Sequence, residues 1–496
     1  MIVSVTGLVR TVLAGGVGAG LVYAAMQAPG AVALGPSSNA DTSRDGGTTT
    51  VRTSALVCPG PELKGLAGLP DLPVGVTVSA AAAPERALTG LALPPGGGGF
   101  SIGALAGGSA LGQSGSRGVV ASAPLGRPEA AVVRGSQSLA PGLAATQAWL
   151  VGSGDHRSLG VAACGRPSAD AWLLAGAGAA GRQERLVLTN PGDNPVTVDV
   201  TLHGAKGPVA SPNGKGVVVP SKGRTTVLLD SISGTEGSPA VHVVAQGGLV
   251  HAVVNDYWLD GSISAGSDDV SAAASPSRSQ VVAALPVNGV AGLRVVVPGD
   301  GEAVVQARAL TPTGPKALPS GGVSRVPGGT VRDISLTGMP AGTYGLQVRA
   351  DVPVVAAGVV QRRTAMTAPG DFAWSSSTAP ITGVAGMPLP GSSLGAPVSS
   401  SLTLASTGAQ ANVEVVTTDA TGTATSRRLT LQADTATSLD LGGAATVWVH
   451  RLAGKGELRA GVVATATDAR GELISVVPLS DSALRTTTVG LLEVPE

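Results

Sequence analysis

Aromatic side chains are nearly missing from this sequence, at 2% of 496 residues, so its cores must be filled by smaller apolar groups. Charge is also scarce, at 13%, and Lys plus Arg balances Asp plus Glu at 32 each. That balance excludes the overall basic excess that favours phosphate binding, and no nucleic-acid partner is expected. It is equally unlike an acidic disordered tail. Long helices beyond the N-terminus are disfavoured by 73 Gly and 35 Pro, whose irregular spacing also excludes collagen. Later apolar stretches such as VVAALPVNGVAGLRVVVPG are broken by Pro and Gly and read as buried strands, not membrane spans.

What is present begins with an N-terminal segment. Arg10 precedes the uncharged run TVLAGGVGAGLVYAAM, residues 11–26, and Ala31-Val32-Ala33 forms an A-x-A pattern suited to signal peptidase. Residues 1–33 therefore read as a signal peptide or as an uncut membrane anchor. A buried helix is the third alternative. The positive charge ahead of the apolar run places the remainder outside the cytoplasm in either of the first two cases. Residues 34–50 are small and polar, as in a flexible linker.

The two cysteines are Cys58 and Cys164. In an exported chain they are expected to pair, with two unpaired thiols as the alternative. The closed loop would exceed a hundred residues, worth about 4–5 kcal/mol in the chain-entropy picture.

A repeat organises the rest. LVLTNPGDNPVTVDVTLHG from Leu186, LRVVVPGDGEAVVQARALT from Leu293 and LTLASTGAQANVEVVTT from Leu402 lie over one another at spacings of 107 and 109 residues. Each reads as a strand, a Gly-bearing turn and a longer alternating strand, the pattern of antiparallel hairpins. In VTVDVTLHG, Val196, Val198, Val200 and Leu202 share one face, as in a half-buried sandwich strand. The repeat length is that of an immunoglobulin-like domain. The expected architecture is all-β: tandem immunoglobulin-like antiparallel sandwiches at 160–270, 276–385 and 392–485. An irregular β-rich region at 51–159 precedes them, and residues 262–280 and 387–400 serve as linkers.

The stretch from Cys164 to Trp172 and the Asn190-Pro191-Gly192 turn, following a signal or anchor and Cys58, resemble an actinobacterial family of exported proteins, the DUF5719 type. The resemblance covers most of the mature length. It implies export and fold, and it brings no activity with it.

Residues capable of chemistry are thinly spread. The histidines are His156, His203, His242, His251 and His450, with no zinc-site spacing to the cysteines. His242 and His251 fall in neighbouring apolar strands and read as ordinary strand histidines of one hairpin. Ser153, Asp155, His156 and Arg157 are adjacent in sequence and read as a surface turn, because a triad needs groups converging from separate elements. The run LPPGGGGF, residues 93–100, lacks a following Lys-Ser/Thr and reads as a flexible loop. Trp172 is expected over the disulfide and Trp448 in a core. The nearest thing to a ligand patch is Asp256, Tyr257, Trp258 and Asp260, where an aromatic beside carboxylates suits sugar contact if it is exposed.

No catalytic residue, metal or cofactor is expected. The leading expectation is a noncatalytic extracytoplasmic scaffold or adhesion protein, an extended row of sandwiches binding an envelope protein or cell-wall glycan. The alternative is a polysaccharide-binding accessory protein. A membrane contact would run through the N-terminal segment if it is uncleaved.

Overall fold

The computed structural model describes residues 48–62, 75–209, 211–234, 236–391 and 394–487. The signal or anchor segment and residues 34–47 of the expected linker lie outside them, while Thr48–Thr50 is a short strand. Residues 48–486 form one compact unit. Among the described residues no helix is long and apolar enough to cross a membrane, and helical segments are single turns such as Asp230–Ser233.

The unit is built almost wholly of antiparallel sheet, organised as tandem β-sandwiches. The second sandwich gives the plan. One sheet orders Asp170–Leu174, Ala240–Gln246, Val196–Gly204 and Gly207–Val209; the facing sheet orders Gly223–Leu228, Arg182–Asn190, His251–Asp260 and Ile263–Ser271. Numbered along the chain, the short added strand Val217–Val219 aside, the two orders are 1-6-3-4 and 5-2-7-8. Val196, Val198, Val200 and Leu202 line the core between the sheets, as their alternation requires. His242 and His251 lie on strands six and seven, in opposite sheets, so the hairpin expected of them is not formed.

The same strand order recurs in the fourth sandwich, from Val384–Pro388 to Gly471–Pro478. It recurs in the third, where the single long strand Gly342–Arg363 supplies both the sixth and seventh positions by passing from one sheet into the other. Leu186, Leu293 and Leu402, which mark the sequence repeat, are each buried in the second strand of their sandwich.

The region that looks irregular in sequence is a further copy. Thr53–Cys58, Ala131–Ser136, Phe100–Ala104 and Gly112–Ser114 form its first sheet, and Ala121–Leu125, Val76–Ala82, Leu143–Val151 and Ser158–Ala163 its second, again as 1-6-3-4 and 5-2-7-8. The disulfide Cys58–Cys164 is formed. Cys58 ends the first strand and Cys164 follows the eighth, so the bond ties the two sheets of the first sandwich together. The indole in its core is Trp149, whereas Trp172 packs in the second sandwich against His203 and His242. Trp448 is fully buried.

The sandwiches do not form an extended row. Their eighth strands, Ser158–Ala163, Ile263–Ser271, Gly370–Ser376 and Gly471–Pro478, pack together in a closed circuit, first on second, second on third, third on fourth and fourth on first. Ile263–Ser271 falls inside the segment that reads as a linker from its Ser, Gly and Asp content; it is a nearly fully buried strand. The backbone of Val51 donates to the Leu484 carbonyl, which also joins the fourth sandwich to the first.

Where the second and third sandwiches meet, Gly266 has φ +119°, and a Cβ there would lie 2.3 Å from Asp371 Oδ1 and 2.8 Å from Asp371 Cα. The close approach and the backbone angle both require glycine. Gly266→Ala is expected to cost about 2–4 kcal/mol, read as a lowered midpoint in urea unfolding. An unchanged midpoint would mean that the eighth strands do not approach this closely.

Candidate functional site

An eighth strand is an edge strand, with one row of backbone N–H and C=O groups unpaired within its own sheet. Burying four such edges together leaves donors that need acceptors, and carboxylates supply them. Asp371 Oδ2 accepts from Leu159 N (3.1 Å) in the first sandwich and Ile474 N (2.9 Å) in the fourth. Asp268 Oδ2 accepts from Trp374 N at 2.8 Å, from the second sandwich to the third. Asp269 accepts from Gln147 Nε2 of the first sandwich (2.6 Å) and from Asn255 Nδ2 (2.9 Å). Ser475 and Val161 exchange hydroxyl and backbone bonds between the fourth and first.

Arginines complete the joints. Arg294 donates to the carbonyls of Ala175, Gly176 and Pro239 across the second–third boundary, pairs with Asp333, and lies over the Trp374 ring. Arg157, almost wholly buried, reaches Asp468 at 2.8 Å and the Gly471 carbonyl at 2.8 Å in the fourth sandwich. Arg224 meets Glu62 and the Pro59 carbonyl, second to first. Arg308 pairs with Asp434, third to fourth.

The residues singled out from sequence fall around this junction, though not as an exposed patch. Asp256 is fully buried. It receives a forked pair of bonds from Arg182 (2.7 and 2.6 Å) and further bonds from Gly176 N and from Trp374 Nε1 of the third sandwich. Tyr257 is buried, its hydroxyl donating to the Asp155 carbonyl and its ring 4.8 Å from His156. Trp258 is half-buried beneath the Arg182 guanidinium. Asp260 pairs with Arg363 of the third sandwich at 2.7 Å. The sugar-contact expectation needs exposed aromatics, and here one aromatic is inside and both carboxylates hold arginines.

The turn reading for residues 153–158 also changes. Ser153 and Asp155 are exposed, but His156 and Arg157 are buried at the joints between sandwiches. Polar content in a short segment signals a turn; only the positions of the other three sandwiches reveal that the turn is covered.

The junction perturbs its ionisable groups. Burial pushes the Asp268 and Asp371 carboxyls well above the usual range, against the N–H bonds that oppose the shift. Asp269 is pushed up to about 6 by the same cause. Glu184 is raised to about 8, first by burial and then by repulsion from Asp256. His251 is lowered to about 4 by burial, and its Nε2 lies buried without a partner. Beside it, a cavity of about 330 Å³ draws its lining from all four sandwiches, including Cys164, His251, Thr378, Met387 and Leu479.

Chemically, the junction joins. Asp256, Asp268, Asp269 and Asp371 each accept at least one N–H bond from a neighbouring sandwich, while Asp268 Oδ1 and Asp371 Oδ1 are buried without a partner. Among the described residues no group of three or more His, Cys, Asp or Glu is placed to hold a metal ion.

A family model described as a family of unknown function (DUF5719) matches residues 119–442. No curated protein matches. Among solved structures, Escherichia coli alpha-2-macroglobulin activated by porcine elastase is 12% identical over 87% of this chain and 44% of its own, with a TM-score of 0.13. The chain thus spans less than half the length of that protein. A tetra-tandem repeat in the extending region of a large adhesion protein is 14% identical over 78% of this chain and 92% of its own, with a TM-score of 0.09.

The raised Glu184 pKa carries a stability consequence. A carboxyl more basic in the folded than in the unfolded chain contributes stability below its unfolded pKa, and this is lost as pH rises through about 8. His251, with a lowered pKa, costs stability only below the ordinary imidazole range, so it is silent above pH ~6.5. The melting temperature is therefore expected to fall between pH ~6.5 and ~8. Glu184→Gln should flatten that fall; an unchanged slope in the variant would assign the pH dependence elsewhere.

Proposed function

The chain belongs to DUF5719, a family of unknown function, and on that footing we propose that it is a noncatalytic extracytoplasmic scaffold. In this reading it is exported, retained at the membrane if residues 1–33 stay uncut, and built of immunoglobulin-like modules. It holds another envelope component against a rigid body.

The observation that carries the reading is the junction itself. The buried carboxylates Asp256, Asp268, Asp269 and Asp371 and the arginines Arg157 and Arg294 are engaged in joining sandwiches. Groups committed in this way fix geometry; a catalytic acid or base instead has to meet a substrate. The disulfide supports the compartment, because such bonds persist in oxidising surroundings. A body in which the sandwiches brace one another suits presentation of loops and sheet faces at fixed positions.

The test is recovery from intact cell envelope with the full chain as bait, run beside a Cys58→Ser/Cys164→Ser double variant. The reading predicts that one envelope component is retained by the oxidised chain and is reduced or lost with the variant. Retention of nothing above background, or location of the native chain in the cytoplasm, would contradict it.

A further inference from the structure

A broad cleft lies away from the junction, on the outer face of the first sheet of the first sandwich. Its volume is about 990 Å³, near the upper end for small-ligand sites. Strand alternation explains its chemistry. Leu56, Phe100, Ile102 and Val133 point into the core, so their neighbours Ala55, Ser101 and Arg134 face outward. Ala55, Arg134, Ser101 and Gln113 stand side by side in one row across four strands, and Thr53 pairs with Ser136 in the next.

Three features mark the cleft. Arg134 is exposed, and among the described residues it has no hydrogen-bond or ion-pair partner. Among the described residues no acidic side chain lines the cleft. Apart from Phe100, whose ring is turned into the core, the other side chains are hydroxyls, an amide and small groups, which leave room above the sheet and offer donors and acceptors. The glycine run at residues 93–100 forms part of the rim: a Cβ at Gly98 would lie 2.3 Å from the Ser136 carbonyl oxygen, and Ser136 Oγ donates to the Gly99 carbonyl at 3.2 Å. The loop is pressed against the sheet at that point, and glycine permits the approach.

We propose that this cleft binds a carboxylate-bearing oligosaccharide, with Arg134 holding the carboxylate and Thr53, Ser101, Gln113 and Ser136 the sugar hydroxyls. A guanidinium forks onto a carboxylate through two parallel N–H bonds. A glycan fits the lining better than an acidic peptide does. The sheet face offers no free backbone row for a peptide strand to join, and the cleft has no deep apolar pocket for its side chains. A uronic-acid chain repeats a carboxylate among hydroxyls at each ring, matching one cation set among hydroxyls and an amide.

The inference gives the scaffold a ligand and rests on that reading only for placing the cleft outside the cytoplasm. Its test is separate. The full chain, with its disulfide intact, is titrated with oligogalacturonate, neutral dextran oligosaccharide and poly-glutamate at low and moderate salt. Saturable binding to oligogalacturonate is expected, weakening with salt, with dextran bound far less. Arg134→Gln should weaken it at least about tenfold, and Arg134→Lys should weaken it less. Gln113→Glu, which sets a carboxylate two strands from Arg134, should abolish it. Because both side chains are exposed, the melting temperature of each variant should match that of the parent. Absence of oligogalacturonate binding, binding indifferent to Arg134→Gln, or equal binding of poly-glutamate would each overturn the proposal. Recovery of an envelope protein by the Arg134→Gln chain should be unchanged whatever the glycan titration shows, so the two readings fail separately.

Discussion

An edge strand can be buried only if its unpaired backbone groups find partners. The architecture of this protein follows from how four such edges solve that problem together. Each sandwich ends on a strand that has one free side, and each of these strands packs against its two neighbours in the circuit. Asp371 illustrates the solution, since one carboxylate oxygen serves N–H groups from two other sandwiches. A backbone-to-backbone ladder would have merged the sheets. Side-chain acceptors let the strands cross without merging, and the sandwiches keep separate cores while sharing one junction.

The cost is charge in a dry place. Asp268 and Asp371 are desolvated, and their raised pKa values express that cost. Arginine offsets part of it. The guanidinium groups of Arg294 and Arg157 reach several carbonyls as well as a carboxylate, satisfying backbone acceptors that the crossing strands leave open. With so few aromatics available, those present sit where they matter: Trp374 donates to Asp256 and lies beneath Arg294, and Tyr257 bridges to the first sandwich. Buried ionic groups of this kind are poor sources of net stability, but breaking one partner from another is expensive. The junction therefore resists separation more than it lowers the energy of the folded state.

Much of the sandwich plan is legible in the sequence. Val196, Val198, Val200 and Leu202 declare their strand and its buried face, and Leu186, Leu293 and Leu402 mark equivalent strands. The first sandwich is harder to read because its second strand, VTVSAAA, fills the core with alanines and lacks the Gly-turn signature of the others. The junction is hardest of all. Asp268 and Asp269 in GSDDVS, and Asp371 in PGDFAW, look like turn acids, since Gly and Pro flank them. Arg157 looks like a surface residue for the same reason. Their burial is imposed by sandwiches a hundred or more residues away, and local pattern carries no trace of that. The misplaced ligand patch has the same origin: both faces of His251–Asp260 are covered, one by its own core and the other by the first sandwich. The cleft at Arg134 depends on no such contact. Its outward-facing residues follow from strand alternation, but four strands drawn from separate parts of the chain have to align before they form a row.

Small-angle X-ray scattering of the full chain in solution addresses the closed junction most directly. A body of this size with its sandwiches gathered on one another should have a radius of gyration of roughly 22 Å. The same sandwiches strung in a row would give about 40 Å or more. A value near the smaller figure, unchanged by moderate salt, is what edge strands held by buried carboxylates predict. A value near the larger one would contradict the closed circuit and return the protein to an extended row of independent modules.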